Sequence, residues 1–282
     1  RGMQATAQTD AREGHDDLVY DIGMNICEDT DFYLRKGFKV IAVEANPTTC
    51  EEAARRYPRE IAAGQLTVLN RAISETREPL TFYVCKTMSA WSTASPELRD
   101  YWTRRGAIFE AIQVQGVITS DIVEEFGTPH YAKIDIEGFD LVCLGGFRKE
   151  TGVPRYVSVE VDFKAVDQLL RTAEDLGYRR FALVGQAGVP QQAPSRPARE
   201  GCDIDYAFPR GSTGLFGREL PAEWVRADHI RSQCAKIIRQ YRVSGILGRA
   251  ERLLPPLKPM LDKVRAHRLP LSCDWYDLHA SF

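Results

Sequence analysis

Short apolar runs rich in β-branched residues alternate with helical patterns between residues 17 and 184. The first two runs, 18–22 and 39–44, are separated by a turn at Gly23 and by a helical pattern that ends at Gly37. Such alternation is typical of βαβ units, in which a helix links two parallel strands. The sequence therefore predicts an α/β fold built on a mostly parallel sheet.

Later segments extend this prediction along the chain. Further strands are predicted at 66–70, 79–85, 112–119, 131–136, 155–161 and 178–184, with a last strand at 203–208. Further helices are predicted at 120–127, 139–147, 164–176 and 222–242. Residues 185–200 are rich in proline and glutamine, which indicates a loop, and prolines interrupt the helical pattern after residue 253.

The overall charge and the cysteines limit the kinds of partner. Lys and Arg number 37 and Asp and Glu number 39, a formal net charge of −2, so we expect no long-range attraction to nucleic acid. No apolar run reaches the roughly 18 residues that a transmembrane segment needs. The 7 cysteines form no Cys-x-x-Cys pair, so we expect reduced thiols and a cytoplasmic protein.

Acidic and amide side chains follow the predicted strands. Asp21 ends the first strand, Glu44 the second and Asn70 the third, and Asp135 and Glu137 end the strand predicted at 131–136. In open α/β sheets, ligands bind beyond the carboxyl ends of the strands. We therefore expect these side chains to line one site.

The turn after the first strand does not suit a phosphate group. A dinucleotide fingerprint has three glycines, whereas this turn has only Gly23, and Asp21 adds a negative charge. Glu44 is positioned to accept hydrogen bonds from a ribose diol. A nucleoside with a cationic, phosphate-free tail satisfies both conditions, and S-adenosylmethionine is such a molecule.

Four segments resemble motifs of the FkbM family of S-adenosylmethionine-dependent methyltransferases. They are Asp21-Ile-Gly-Met-Asn25-Ile-Cys27, Val43-Glu44-Ala45-Asn46-Pro47, Asn70-Arg-Ala72 and Lys133-Ile-Asp135-Ile-Glu137-Gly138. Their order and spacing are similar to those of the family, over roughly residues 17–184. Segments 214–220 and 275–280 also resemble parts found near the ends of many members.

The resemblance implies a Rossmann-like methyltransferase fold, with a mostly parallel seven-stranded sheet, helices on both faces and a C-terminal extension. Residues 1–16 are then an N-terminal tail and residues 17–210 the S-adenosylmethionine-binding domain. Residues 211–282 form the extension, which closes over the acceptor site.

The resemblance also implies a set of cofactor contacts at the strand ends. They are Asp21, Gly23, Asn25, Cys27, Thr30, Glu44, Ala45, Asn70, Ala72 and Asp135. Cys27 stands where the family has glycine, and its side chain is expected to crowd the methionine portion of the cofactor unless the turn opens. Taken singly, Asp21 and Asp135 are equally consistent with helix caps or bonds to loop amides.

Methyl transfer to a hydroxyl needs a group that takes its proton, or a metal ion that acidifies it. Asp135, Glu137 and His279 are the candidates for the catalytic group. His279 reaches the site only if the C-terminal segment folds back over the sheet edge. Carboxylates of Asp135, Glu160 and Asp162 suit Mg²⁺ bound together with a sugar diol. The alternative is that Glu160 and Asp162 are solvated edge charges.

Three tryptophans, Trp91, Trp102 and Trp275, are candidates for stacking on the acceptor, the alternative being buried anchors. The resemblance implies O-methylation, and the tryptophans and acidic strand ends favour a carbohydrate, as a small molecule or a larger glycan. The alternatives are a polyketide-type secondary metabolite, methylation of a nitrogen, and a cofactor-binding protein without catalysis. The oligomeric state stays open between a monomer and a homodimer.

Overall fold

The computed structural model describes residues 15–253 and 275–282, with side chains to residue 242 in the first range. The strands are β1 (His15–Ile22), β2 (Lys39–Glu44), β3 (Leu66–Asn70), β4 (Ala72–Ile73), β5 (Leu80–Cys85), β6 (Phe109–Val114), β7 (Gly116–Val117), β8 (Pro129–Ile134), β9 (Tyr156–Glu160), β10 (Arg180–Gly185) and β11 (Tyr276–Ser281). The α-helices are α1 (Glu28–Arg35), α2 (Pro47–Arg56), α3 (Pro58–Ala62), α4 (Pro96–Thr103), α5 (Thr119–Phe126), α6 (Asp140–Gly146), α7 (Val166–Leu176) and α8 (Ala227–Leu253).

Seven strands form the central sheet, in the order β10-β11-β9-β8-β1-β2-β3. Neighbouring strands are parallel except at β11, which runs antiparallel to both β9 and β10. The predicted mostly parallel seven-stranded sheet is therefore confirmed. Because the parallel strands point the same way, their carboxyl ends meet at one edge of the sheet.

Both faces of the sheet are buried, which explains why its strands are continuous apolar runs. On one face, an apolar cluster joins the strands to α5, α6, α7 and α8. On the other face, a second cluster joins them to α1 and to residues 204–216, which we call the strap. Val19 and Tyr20, neighbours in β1, are both fully buried because each faces one of these clusters.

The strap includes most of the predicted strand at 203–208, and that prediction is wrong. Residues 203–208 have no strand partner among the described residues. Instead, the rings of Tyr206 and Phe208 pack at a tilt against Phe32 of α1, with ring centroids 5.1 and 4.7 Å away. The apolar alternation of this segment reflects contact with a helix rather than with a neighbouring strand.

The seventh strand of the sheet is β11, which comes from the segment predicted as an extension. It lies between β9 and β10 and pairs along its whole length with β10, from Arg180 opposite Ser281 to Gly185 opposite Tyr276. The proline-containing segment after residue 253 lies outside the described residues. Within the described ranges, no helix has the length and apolar character needed to cross a membrane.

The chain between β3 and α5 stands outside the central sheet. β5 and β6 pair antiparallel, and β4 and β7 form a short parallel pair. The connection between β5 and β6 contains a 3₁₀ turn at Ser89–Trp91 and helix α4. Ser95 caps α4 by accepting a hydrogen bond from the amide of Leu98, and Pro96 occupies its first turn. This connection carries Trp91 and Trp102.

Candidate functional site

A cavity of about 660 Å³ opens at the carboxyl ends of the central strands. Its wall includes acidic and basic side chains, which are Glu28, Asp29, Glu44, Asp135, Glu137, Glu160, Arg71 and Lys133. It also includes apolar side chains, among them Phe82, Met88, Trp91, Trp102, Phe139 and Trp275. A cavity of this size is in the range of small-molecule sites.

The turn after β1 forms the floor of the cavity next to β8. Gly23 has a φ of +86°, and a Cβ on it would lie 1.8 Å from the carbonyl oxygen of Asp135. Only glycine therefore allows this close approach of β1 to β8. Asn25 also has positive φ, at 47°, and its amide donates to Glu44 Oε2 at 2.9 Å.

Cys27 does not line the cavity. Its φ of 68° explains why glycine is favoured at this position, but its side chain is only 2% exposed and lies in the apolar cluster with Met24 and Phe32. Burial raises the pKa of its thiol to about 12. The prediction that Cys27 contacts and crowds the cofactor is therefore wrong, because the sulfur faces the core.

Asp21 and Thr30 lie behind the turn rather than in the cavity wall. Asp21 is fully buried and accepts a hydrogen bond of 2.5 Å from the hydroxyl of Thr30. Its other oxygen is 3.5 Å from Lys133 Nζ, which also donates to the carbonyl oxygen of Gly23 at 2.7 Å. These two predicted cofactor contacts thus support the turn instead of lining the cavity.

Lys133 is surrounded by carboxylates. Its Nζ lies 3.5 Å from Asp21, 3.7 Å from Asp135 and 4.0 Å from Asp29. Burial alone would lower the pKa of Lys133, but these carboxylates hold it well above its usual value. The buried ammonium group therefore stays charged and offsets part of the negative charge beneath the cavity.

Glu44 lies at the end of β2 with its carboxylate in the cavity wall. Oε2 accepts from the amide of Asn25 at 2.9 Å, and Oε1 from the amide of Asn46 at 2.7 Å. Asn70 stands behind, donating from Nδ2 to the carbonyl oxygens of Glu44 and Ala45 at 3.0 Å each. Ala45 and Ala72 line the cavity, whereas Asn70 holds the end of β2 from outside it.

Three carboxyl groups, from Asp135, Glu137 and Glu160, form the wall beyond β8 and β9. Burial, together with Asp135 and Asp140, raises the pKa of Glu137 to about 8. Burial also raises the pKa of Glu160 to about 10, with the nearby carboxylates adding to the effect. Asp140 fixes the turn after β8 that carries Asp135 and Glu137, since its carboxylate accepts from the amides of residues 136 and 138 at 3.0 and 3.1 Å.

These carboxylates do not form the predicted magnesium site. Asp162 is exposed, and its carboxylate accepts from the amide of Lys164 at 2.9 Å. Nowhere in the described parts of the chain do three His, Cys, Asp or Glu side chains stand close enough to hold a metal ion. The structure therefore does not support a metal site at Asp135, Glu160 and Asp162, because the exposed Asp162 is not brought together with the other two carboxylates.

His279 is not brought to the cavity. It lies in the middle of β11, opposite Ser158 and Ala182, and is 1% exposed. Burial lowers its pKa to about 3, so the imidazole is neutral. The prediction of a catalytic His279 is wrong, because β11 enters the sheet at the carboxyl edge and runs away from it. The acidic residue Asp277, which sequence reasoning did not select, lies at that edge instead.

All three predicted acceptor-binding tryptophans line the cavity. Trp91 and Trp102 stack face to face, with ring centroids 4.1 Å apart and planes within 3°. Thr93, fully buried, fixes this wall: its hydroxyl donates to the carbonyl oxygen of Glu137 at 2.6 Å. The tryptophan side of the cavity is therefore tied directly to the turn that carries Glu137.

Several wall residues were not predicted from the sequence. Asp29 accepts the amide of Thr213 in the strap, at 2.9 Å, and so connects α1 to the strap. Met88 contributes an apolar side chain that is 49% exposed. The acidic first turn of α1, with Glu28, Asp29 and Asp31, is a sequence signal that could have identified the first of these.

A mostly parallel sheet with a small-molecule cavity at its carboxyl edge defines a Rossmann-like α/β protein. A sequence profile described as "Methyltransferase FkbM domain" matches residues 21–180, more than half of the chain. The chain therefore belongs to the FkbM family of methyltransferases, and the predicted Rossmann-like methyltransferase fold is confirmed.

Other comparisons are more distant. No curated protein gives a significant match to the chain. Among solved structures, the chain is similar to precorrin-6y C5,15-methyltransferase from Geobacter metallireducens GS-15, with a TM-score of 0.34 and 12% identity. That similarity covers 62% of this chain and 72% of that chain. Family membership rests on the profile match.

Proposed function

We propose that this methyltransferase uses S-adenosylmethionine and methylates a hydroxyl group of a carbohydrate. The observation that carries the proposal is the division of one cavity into two unlike walls. An acidic wall follows the strand ends from Glu44 to Glu160, and the stacked rings of Trp91 and Trp102 form an aromatic wall.

The acidic wall suits the nucleoside part of the cofactor. Two backbone amides hold the Glu44 carboxylate in the cavity wall, each occupying one of its oxygens. Each carboxylate oxygen has two acceptor sites, so Glu44 keeps capacity for both hydroxyls of a ribose. The fixed orientation of Glu44 is the feature of this chain that fits the cofactor's diol.

The charge of the wall favours a cationic ligand over a phosphate. The wall residues include six acids and two bases, and the base at its centre, Lys133, is already shared among carboxylates. A sulfonium group gains Coulomb energy in such surroundings, whereas a pyrophosphate loses it. This balance supports S-adenosylmethionine against NAD or ATP.

The aromatic wall supports a carbohydrate acceptor, because sugar rings present C–H faces that pack on flat aromatic surfaces. A polyketide-type metabolite is the second candidate. It is favoured by the exposed apolar surface at the cavity, where Met88 is 49% and Trp275 is 40% exposed. The two candidates differ in the polar groups that the acceptor offers to Glu137 and Glu160.

Bound S-adenosylmethionine supplies an electrophilic methyl group. The protein's own part in the reaction is to bind, orient and exclude water, because in-line displacement depends on alignment. Gly23 and Glu44 orient the cofactor, and the tryptophans orient the acceptor. Asp135, Glu137 and Glu160 are the carboxylates that we propose near the reacting atoms. Asp135 lies on the cofactor side because it pairs with Lys133 at 3.7 Å.

Calorimetric titration with S-adenosylmethionine, S-adenosylhomocysteine, NAD and ATP tests the cofactor. Selective binding of the two adenosyl ligands supports the proposal, and binding of NAD or ATP instead contradicts it. Transfer of a labelled methyl group to a panel of neutral glycosides and polyketides then tests the acceptor. Cofactor binding without transfer to any compound of the panel would favour a non-catalytic protein.

A further inference from the structure

The last strand brings two carboxyl groups together at the cavity. Asp277 of β11 is the register partner of Glu160 of β9. The amide of Val161 donates to the carbonyl oxygen of Tyr276 at 2.9 Å, so residues 160 and 277 form a non-hydrogen-bonded pair. Side chains of such pairs lie closest, with Cβ atoms roughly 4.5–5.5 Å apart. Glu160 faces the cavity, and Asp277 is 7% exposed behind it.

The pair has mostly acidic neighbours. Glu160 is acted on by Asp277, by Asp135 and Glu137 in the turn after β8, and by Asp140 of α6. Asp277 is acted on by Asp135, by Asp29 of α1 and by Lys133 at the end of β8. Burial raises the pKa of Asp277 well above its usual range, although Lys133 and the hydroxyl of Thr213 oppose the shift. Burial and the acidic neighbours therefore favour the protonated form of the pair over the ionised form.

In the described part of the cavity wall, no Lys or Arg side chain interacts with this pair alone. Lys133 is shared among Asp21, Asp29 and Asp135. Arg71 follows β3, four strands from β9 in the sheet order, which is about 19 Å at the usual strand spacing. A cationic ligand that enters the cavity could therefore supply the positive charge that pairs with Glu160 and Asp277.

We propose that Glu160 and Asp277 form a proton-holding pair that ionises when the sulfonium of S-adenosylmethionine binds, leaving Glu160 as the base for the acceptor hydroxyl. Glu160 is the catalytic residue and Asp277 the positioning residue. The proposal rests on the proposed function, because it needs a cationic methyl donor.

The charges and atoms balance over one cycle. Cofactor binding releases a proton from the pair to solvent. In the transfer step, the acceptor oxygen forms a bond to the methyl carbon, the C–S bond breaks and its electrons stay on sulfur, and the hydroxyl proton passes to Glu160. The sulfonium charge and the carboxylate charge disappear together, which returns the pair to its protonated state. The same proton affinity that opposes ionisation in the free protein makes Glu160 a strong base.

Proton release on binding tests the proposal without an acceptor. S-adenosylmethionine and S-adenosylhomocysteine differ only in one methyl group and its positive charge. Titrations at pH 7.5 in two buffers of different ionisation enthalpy give the number of protons released with each. We expect S-adenosylmethionine to release about one proton more than S-adenosylhomocysteine.

Three variants locate the source of that proton. Glu160→Gln and Asp277→Asn should each abolish the difference while still binding S-adenosylhomocysteine, which shows that they are folded. Asp162→Asn, two residues beyond Glu160 and outside the wall, should keep it. A wild-type difference near zero, or a difference that survives in both pair variants, overturns the proposal. If Glu160→Gln abolishes the difference in proton release and Asp277→Asn does not, the positioning role proposed for Asp277 is wrong. Binding of neither adenosyl ligand would instead overturn the proposed function, and this inference with it.

Discussion

Lys133 Nζ donates a hydrogen bond of 2.7 Å to the carbonyl oxygen of Gly23, joining the end of β8 to the turn after β1. The same ammonium group is the nearby positive charge for the buried Asp21, at 3.5 Å. One side chain therefore fixes the turn and balances the charge beneath it. Its removal leaves a buried carboxylate uncompensated, which is costly in a low-dielectric interior.

Lys133→Met is expected to lower the free energy of unfolding by about 3–5 kcal/mol, the cost of breaking a buried ion pair. Urea denaturation measures this change. The exposed Lys164→Met serves as the control and should shift stability by less than about 0.5 kcal/mol. Adding Asp21→Asn to Lys133→Met should recover part of the loss. Equal stability of Lys133→Met and the wild type would contradict the charge-balancing role.

Glu44→Ala is expected to weaken binding of S-adenosylmethionine by about 1–3 kcal/mol, or roughly 5- to 150-fold, because the ribose loses a buried acceptor. Calorimetry gives the dissociation constant. Glu51→Ala, on the exposed surface of α2, controls for loss of one negative charge. Unchanged affinity in Glu44→Ala would refute the ribose assignment.

Thr93→Val removes the hydroxyl that donates to Glu137 and accepts from the amide of Ser95 at 2.9 Å. Since both partners lose their bond at a buried position, we expect stability to fall by about 1–3 kcal/mol in denaturant titrations. Thr93→Ser keeps the hydroxyl and should lose less. If the serine and valine variants were equally destabilised, the lost methyl packing would explain the result better than the hydrogen bonds.

Trp102→Ala is expected to raise the KM for the acceptor by about fivefold, corresponding to about 1 kcal/mol of aromatic contact. The dissociation constant of S-adenosylmethionine should stay the same, because Trp102 lies on the aromatic wall, which we propose for the acceptor and not for the cofactor. Tyr101→Ala provides the matched control, since that ring touches Trp102 edge-on without lining the cavity. A change in cofactor affinity without a change in KM would reverse the assignment of the two walls.

His279 should make stability depend on pH. Its pKa is about 3 in the folded protein and about 6.5 when unfolded, so between these values only the unfolded state binds the proton. The contribution of His279 to the free energy of unfolding is therefore fully present above pH 6.5 and is smaller by up to about 2 kcal/mol at pH 5. Unfolding of wild type and His279→Gln at both pH values measures it. Parallel losses in the two proteins would show that His279 is not the source.

The sequence predicts best those strands that are short apolar runs bounded by turn residues. The predicted strands 39–44 and 66–70 match β2 and β3 residue for residue, because both are short apolar runs with clear turn residues. The site residues at their ends, such as Glu44, follow from the same geometry. A parallel sheet necessarily brings the carboxyl ends of its strands to one edge.

The errors concern segments whose partners are far away in the chain. Residues 203–208 alternate like a strand, but the surface that they cover is helix α1. β11 contains the buried polar residues Asp277 and His279, so its sequence does not show the continuous apolar run that is typical of a strand inside a sheet. Which face or edge a segment meets is decided by tertiary packing, and a local pattern does not contain that information.

The place of β11 also has a consequence for how the protein is made. β9 and β10 are not hydrogen-bonded to each other, since β11 lies between them as the bridge. On the ribosome, β1, β2, β3, β8 and β9 can associate as they emerge, but β10 has no place in the sheet until residues 276–281 have been synthesised. Completion of the sheet therefore waits for residues 276–281, and Asp277, opposite Glu160, arrives with them.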